Sequence, residues 1–82
     1  MIVQPECLED LHHWVDIHRK TALRVLDLME AALRDPFEGI GKPEPLKHLG
    51  PDLWSRRITG VDRLVYRVTE EAVDFLMARY HY

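Results

Sequence analysis

Apolar residues in the first third of the chain recur at the spacing of one helical face. The positions on this face are Leu8, Leu11, Val15 and His18, with Trp14 beside them. Acidic residues cluster at the start of the stretch, where they complement the positive end of a helix dipole. The pattern therefore predicts a first helix over residues 5–20, with this face turned toward the core.

A second stretch of helical spacing follows directly, over residues 21–35. Its apolar stripe consists of Ala22, Leu26, Met29 and Leu33. Thr21 is the predicted N-cap, because a threonine oxygen can accept a hydrogen bond from an N–H group of the first turn. The two stretches are compatible with a helical hairpin or with one bent helix, and we favour the hairpin.

The periodicity stops at residues 35–52, which read DPFEGIGKPEPLKHLGPD. This segment contains three glycines and four prolines, a composition that indicates a loop. It is long for a connection within a small domain, and loops of this length are often functional.

The second half of the chain alternates between apolar and polar positions, as strands do. LWSRRIT, RLVYRV and VDFLMARYHY are rich in β-branched and aromatic residues and are separated by turn signals. These segments predict an antiparallel sheet, and MIVQ at the start of the chain leaves room for a short edge strand. The fold class is therefore α+β, with two N-terminal helices packed on one face of a small antiparallel sheet.

Alternation along the strands assigns residues to the two faces of this sheet. The even-numbered face is mostly apolar and includes Trp54, Ile58, Leu64, Tyr66, Val68, Leu76, Ala78 and Tyr80. The odd-numbered face carries Arg57, Arg63, Arg67, Arg79 and His81, together with apolar residues such as Val73 and Phe75. Arg57 and Arg63 share a face only if an odd-numbered loop, such as Gly60–Asp62, joins their strands; the sequence leaves this open.

Composition and charge limit the class of protein. The 82 residues suit a single domain over residues 1–82, and the one cysteine fits a reducing cytoplasm. We find no signal-peptide pattern and no apolar run of membrane-spanning length. Residues 1–40 carry a net charge of −4, whereas residues 41–67 carry +3. This asymmetry indicates a basic working surface in the second half, although uneven scatter of surface charge would look the same.

The residues that are able to carry chemistry lie in the loop and the strands. The five histidines do not form a convincing metal-ligand pattern, so we expect neither a metal nor a cofactor. The remaining set is Glu44, Lys47, Arg57, Arg63 and His81, with Tyr82 able to stack on a base. Such a set suits RNA cleavage, which needs a base for the 2′-hydroxyl, an acid for the 5′-oxygen and a cation for the phosphoryl oxygens. Each residue also has a plain structural interpretation, as a solvated carboxylate, a cross-strand partner or a tail residue.

A longer motif narrows this set of interpretations. The block GKPEPLKH, followed by WSRRI, RLVY and the terminal RYHY, resembles the YoeB/Txe toxins of the RelE/ParE superfamily. The resemblance extends along essentially the whole chain and is strongest from residue 36 onward. It implies a cytoplasmic, ribosome-dependent endoribonuclease that cleaves mRNA in the ribosomal A site without a metal.

The resemblance also implies a role for each residue of the set. Glu44 matches the general base, Arg63 the arginine that stabilises the transition state, and His81 the general acid, although the sequence leaves the assignment of acid and base open. Lys47, Arg57 and Tyr82 match positions that hold the RNA or support the centre. The turn TGVD and the segment HLGPDL depart from the family pattern.

Partners and rival functions follow from the same resemblance. The family implies an antitoxin of the YefM/Axe kind, the ribosome with its mRNA, and a homodimer. One alternative is a ParE-like toxin that inhibits gyrase. Another is a module that binds RNA or protein without catalysis.

Overall fold

Two helices and five strands make up the computed structural model, which describes residues 1–81. The elements are β1 (Ile2–Val3), α1 (Pro5–Ile17), α2 (Arg19–Arg34), β2 (Glu44–Pro45), β3 (Leu53–Arg57), β4 (Arg63–Val68) and β5 (Val73–Tyr80). The strands form one sheet in the order β1-β5-β4-β3-β2, with β1 parallel to β5 and the other pairs antiparallel. The α+β prediction is confirmed. The N-terminal edge strand is present, and its parallel pairing makes the sheet mixed.

His18 separates the two helices. Its backbone is extended, and its Nδ1 accepts a hydrogen bond from the backbone N–H of Thr21 at 3.2 Å. The N-cap of α2 is therefore His18, and the prediction of Thr21 as the cap is wrong. Because α2 begins at Arg19, Thr21 lies inside the first turn and its N–H points back to the cap.

The face of α1 that meets the sheet agrees only in part with the predicted one, since Leu11 and Trp14 pack on the core. Cys7 and Trp14 are buried, whereas Leu8 is 50% exposed and Val15 is also exposed. Two hydrogen bonds to Ala78 of β5 set the rotation of the helix. Trp14 Nε1 donates to the Ala78 carbonyl at 2.8 Å, and Asp10 Oδ2 accepts from the Ala78 N–H at 2.9 Å. Polar contacts to a strand edge therefore override the simple apolar spacing.

The buried stripe of α2 is also shifted from the predicted one. Ala22 and Met29 are buried as predicted, but Leu26 and Leu33 are exposed. The fully buried positions of α2 are Val25, Leu28 and Ala32. These side chains pack into the main core with residues of β3, β4 and β5.

Alternation assigns β3 and β4 correctly but fails in β5. Two register shifts in the β4–β5 pairing place an additional β5 residue on each side of Met77. As a result Phe75 and Ala78, three residues apart, both pack against the helices, while Met77 and Tyr80 join the cluster on the opposite face. The predicted faces of Val73, Phe75, Leu76 and Tyr80 are therefore wrong, because bulges break the two-residue period.

A fully buried arginine fastens the long loop to the sheet. Arg56 has 0% exposure, and its Nε donates to the hydroxyl of Tyr66 at 3.0 Å. The other guanidinium nitrogens donate to three loop carbonyls, those of Ile40 at 3.0 Å, Asp35 at 2.6 Å and Glu38 at 2.9 Å. Within residues 1–81, no buried side-chain nitrogen or oxygen lacks a hydrogen-bond partner. The guanidinium thus replaces its lost hydration with carbonyl oxygens.

We expect Arg56→Gln to lower the free energy of unfolding by about 3 kcal/mol, because three loop carbonyls and the Tyr66 hydroxyl lose their charged donor. The same change at Arg67, which is exposed on β4, should cost less than about 0.5 kcal/mol. Urea titration of both variants measures the difference. Equal effects at the two positions would contradict the structural role of Arg56.

The buried thiol of Cys7 leads to a second prediction, about the free energy of unfolding at alkaline pH. Burial, with smaller effects from Asp10, Asp74 and Glu6, raises the pKa of Cys7 from 9.0 to about 11. The unfolded thiol therefore ionises first, and stability falls as pH rises from about 9 toward 11, by up to about 2–3 kcal/mol. Urea titrations at pH 8 and 10.5 should show a smaller fall in Cys7→Ala than in the native chain. Burial also raises the pKa of Tyr66, so some alkaline loss should remain.

Candidate active site

Glu44 lies in a short edge strand rather than in an irregular loop. It pairs with Ser55 across the β2–β3 ladder, and Pro45 pairs with Trp54. Backbone hydrogen bonds flank β2 on both sides: the Arg57 N–H donates to the Gly41 carbonyl at 2.7 Å, and the Leu46 N–H donates to the Leu53 carbonyl at 2.8 Å. The expectation of an unpaired loop is therefore wrong here. An edge strand tolerates the flanking prolines, which have no N–H to donate.

Arg63 at the start of β4 contacts Glu44 directly. Its Nη1 lies 2.6 Å from Glu44 Oε1 and 3.2 Å from the hydroxyl of Ser55. The first contact has the short length of a charge-assisted hydrogen bond. The Arg63 side chain is mostly buried, while that of Glu44 is nearly half exposed. The carboxylate is thus held by a guanidinium and remains open to solvent on the face away from the helices.

Arg57 and Arg63 face each other across β3 and β4. They are direct partners in the strand register, and Tyr80 of β5 pairs with Arg63 on its other side. Five residues separate the two arginines, so the condition of an odd-numbered loop is met and they share a face. Like charges opposite each other in a sheet are destabilising. Two positively charged residues therefore lie on neighbouring strands of the same sheet face.

His81 follows the residue that pairs with Arg63. Its side chain is 71% exposed, and its Nδ1 lies 3.3 Å from the Arg79 carbonyl and 3.9 Å from Asp62 Oδ1. The end of β5 therefore brings the imidazole to the β3–β4 turn, beside the strand that begins with Arg63. Lys47 is exposed in the turn that follows β2. Tyr82, the sixth predicted site residue, lies outside the described residues.

Sequence reasoning missed three polar residues around this site. Arg56 is the buried anchor, and His48 Nε2 lies 3.3 Å from the Tyr80 hydroxyl on the open face. The signal for Arg56 was its even-numbered position between Trp54 and Ile58, which placed a cation on the apolar face. No sequence signal located Tyr80, because its face depends on the bulges in β5.

Gly41 permits the close approach of β2 to the core. It has a φ of +85°, and a Cβ built there would lie 2.6 Å from Leu28 Cδ2 and 3.1 Å from Arg56 Cβ. Gly41 also supplies the carbonyl that bonds to the N–H of Arg57. The loop therefore needs glycine at this position in order to reach the edge of β3.

We expect Gly41→Ala to lower the free energy of unfolding by about 1–3 kcal/mol, through backbone strain and the clash with Leu28. Gly60→Ala is the matched control, since a Cβ at Gly60 meets nothing within 4 Å. Urea titration of both variants tests this. A loss as large in Gly60→Ala would refute the argument from close packing.

The described residues contain neither a metal-binding cluster nor a membrane-crossing helix. Across residues 1–81, histidine, cysteine and carboxylate side chains do not gather in a group of three or more that would hold a metal ion. Neither α1 nor α2 has the length and apolar character of a membrane-crossing helix within the described residues.

Solved structures with the same fold include toxins of one class. The chain matches a YoeB/ParE toxin from Agrobacterium tumefaciens with a TM-score of 0.90 and 36% identity, covering 99% of this chain and 96% of the other. The YoeB dimer from Staphylococcus aureus matches with a TM-score of 0.90 and 33% identity, covering 99% of this chain and 94% of the other. A YoeB–YefM complex from the same organism matches with a TM-score of 0.84 and 34% identity, with the same coverage of the two chains. The fold is therefore that of small RelE-like α+β toxins.

Sequence comparison identifies the family within this class. The family model for the YoeB-like toxin of bacterial type II toxin–antitoxin systems matches residues 3–82. Toxin RelK from Mycobacterium tuberculosis is 50% identical over 78 residues, which cover 95% of this chain and 92% of that protein. Toxin YoeB from Escherichia coli K12 is 42% identical over 82 residues, with 100% and 98% covered. The chain belongs to the YoeB-like toxins.

Proposed function

We propose that this toxin is a ribosome-dependent endoribonuclease that cleaves mRNA in the ribosomal A site. The observation that carries the proposal is the 2.6 Å contact between Glu44 and Arg63 on the open face of the sheet. A carboxylate and a guanidinium held together, with a histidine at the end of the neighbouring strand, provide the groups that RNA cleavage needs.

The reaction divides among three side chains. Glu44 takes the proton from the ribose 2′-hydroxyl, and the oxygen then attacks the adjacent phosphorus. The bond from phosphorus to the 5′-oxygen breaks, leaving a 2′,3′-cyclic phosphate on one fragment. His81 protonates the departing 5′-oxygen, so the other fragment ends in a 5′-hydroxyl. Arg63 stabilises the negative charge that builds on the phosphoryl oxygens.

Three further residues hold the RNA in this proposal. Arg57 faces Arg63 across the strands and offers a second guanidinium to the phosphate backbone. Lys47 is exposed in the turn after β2, where it adds a positive charge. Tyr82 would stack on a base. The basic charge of residues 41–67 then steers the toxin to RNA although the whole chain is acidic, with a net charge of −3.

The proposal includes protein partners. YoeB from Staphylococcus aureus is found as a dimer and in a complex with YefM. We propose that this chain likewise forms a homodimer and is neutralised by an antitoxin of the YefM kind. The apolar side chains exposed on the helices, which include Leu8, Val15, Leu26 and Leu33, are available to bury against a partner. The single domain of this toxin would act in the bacterial cytoplasm, where mRNA is translated.

Primer extension on a defined mRNA in a purified translation system tests the nuclease. The native toxin should cut at A-site codons only when ribosomes are present. His81→Gln and Glu44→Gln should each cleave at least about a hundredfold more slowly, because each removes one proton-transfer group. Both variants should still cosediment with ribosomes.

His12→Gln is the matched control, because it makes the same change at an exposed position of α1. It should cleave like the native toxin. Native protein that stops growth without producing cuts would refute the nuclease and favour gyrase as the target. Undiminished cleavage by His81→Gln would remove His81 from the mechanism.

A further inference from the structure

The turn between β3 and β4 presents a carboxylate to the imidazole of His81. Asp62 Oδ1 lies 3.9 Å from His81 Nδ1, and the Arg79 carbonyl lies 3.3 Å from the same nitrogen. The Asp62 side chain is 17% exposed, compared with 71% for His81. The carboxylate is therefore the fixed partner, and the imidazole is the group that it orients.

Hydrogen bonds within the turn hold Asp62 in place. Thr59 Oγ1 donates to Asp62 Oδ2 at 3.1 Å and accepts from the backbone N–H of Asp62 at 2.9 Å. The Asp62 carbonyl accepts from the N–H groups of Ile58 and Thr59. One carboxylate oxygen is thus bound inside the turn, while the other points toward His81.

The two contacts of Nδ1 favour a proton on that ring nitrogen. A carbonyl oxygen and an ionised carboxylate only accept hydrogen bonds, so Nδ1 must be the donor for both contacts to be attractive. The neutral ring then carries its lone pair on Nε2. The charged ring gives up its proton from Nε2, which is the transfer that the leaving oxygen of the RNA requires.

We propose that Asp62 is a positioning residue that holds the His81 ring with its proton on Nδ1 and with Nε2 available to the RNA. The inference rests on the proposed nuclease function. His81 also lines a cavity with other charged residues, namely Glu6 and Asp10 of α1 and Arg79 of β5. Asp10 is engaged by the Ala78 N–H at 2.9 Å, whereas Asp62 is within ion-pair distance of the imidazole.

Nitrogen NMR of the full-length toxin tests the orientation without using activity. In the native protein the neutral His81 ring should be mainly the Nδ1–H tautomer, the minor form in free histidine. Asp62→Asn keeps a side-chain oxygen for Thr59 but loses the charge, so the Nδ1–H fraction should fall.

Single-turnover cleavage on programmed ribosomes tests the consequence for the reaction. Asp62→Asn should lower the maximal rate about tenfold and leave the half-saturating ribosome concentration unchanged, since the imidazole is misoriented but RNA contacts remain. Asp62→Glu should recover most of the rate. Asp52→Asn makes the same charge change at the other end of β3 and should cleave like the native toxin.

Three outcomes separate this inference from the proposed function. A native toxin that cleaves, with Asp62→Asn unchanged in tautomer and rate, would overturn the inference alone. A rate loss reproduced by Thr59→Val, with the tautomer unchanged, would also overturn it, because the carboxylate would then act only in the turn. A native toxin that never cleaves would overturn the nuclease and the contribution of Asp62 to cleavage, whereas a tautomer change in Asp62→Asn would still support the orienting contact.

Discussion

The Arg56 guanidinium is the interaction on which the working half of the molecule depends. A cation with 0% exposure is tolerated because the loop turns three carbonyls toward it and Tyr66 adds a hydroxyl. Tyr66 in turn donates to the Pro36 carbonyl at 2.7 Å. The same contacts replace the hydrogen bonds that an irregular segment would otherwise make to water. The loop carbonyls thus offset the cost of burying the Arg56 charge, and Arg56 in turn supplies the hydrogen bonds that these carbonyls need.

The anchored loop determines where Glu44 lies. Once residues 35–41 are fixed over Arg56, the Gly41 carbonyl meets the Arg57 N–H and the chain continues along the edge of β3. Glu44 is then opposite Ser55, and its carboxylate meets Arg63. The buried Arg56 and the exposed Arg57 are adjacent in the sequence. Alternation in one strand therefore gives one arginine to the core and the next to the open face.

The sequence predicted the elements better than it predicted their orientation. Apolar alternation located β3 and β4 and their faces, because these strands keep a regular ladder. The rotation of α1 depends on hydrogen bonds from Trp14 and Asp10 to Ala78, which helical spacing does not encode. The bulges of β5 likewise depend on its pairing with β4. For the candidate site, the motif named Glu44, Arg63 and His81, whereas the contact between Glu44 and Arg63 and the surroundings of His81 emerged only from the fold.

The candidate site tolerates unfavourable contacts because the stabilising core lies on the opposite face of the sheet. The helix-covered face contains the main core, which stabilises the fold through burial of residues such as Leu28, Tyr66 and Phe75. On the open face, Arg57 and Arg63 stand opposite each other at a cost in repulsion. The carboxylate of Glu44 offsets that repulsion through its contact with Arg63. Under the proposed function, a phosphate bound by Arg57 and Arg63 would reduce that repulsion further.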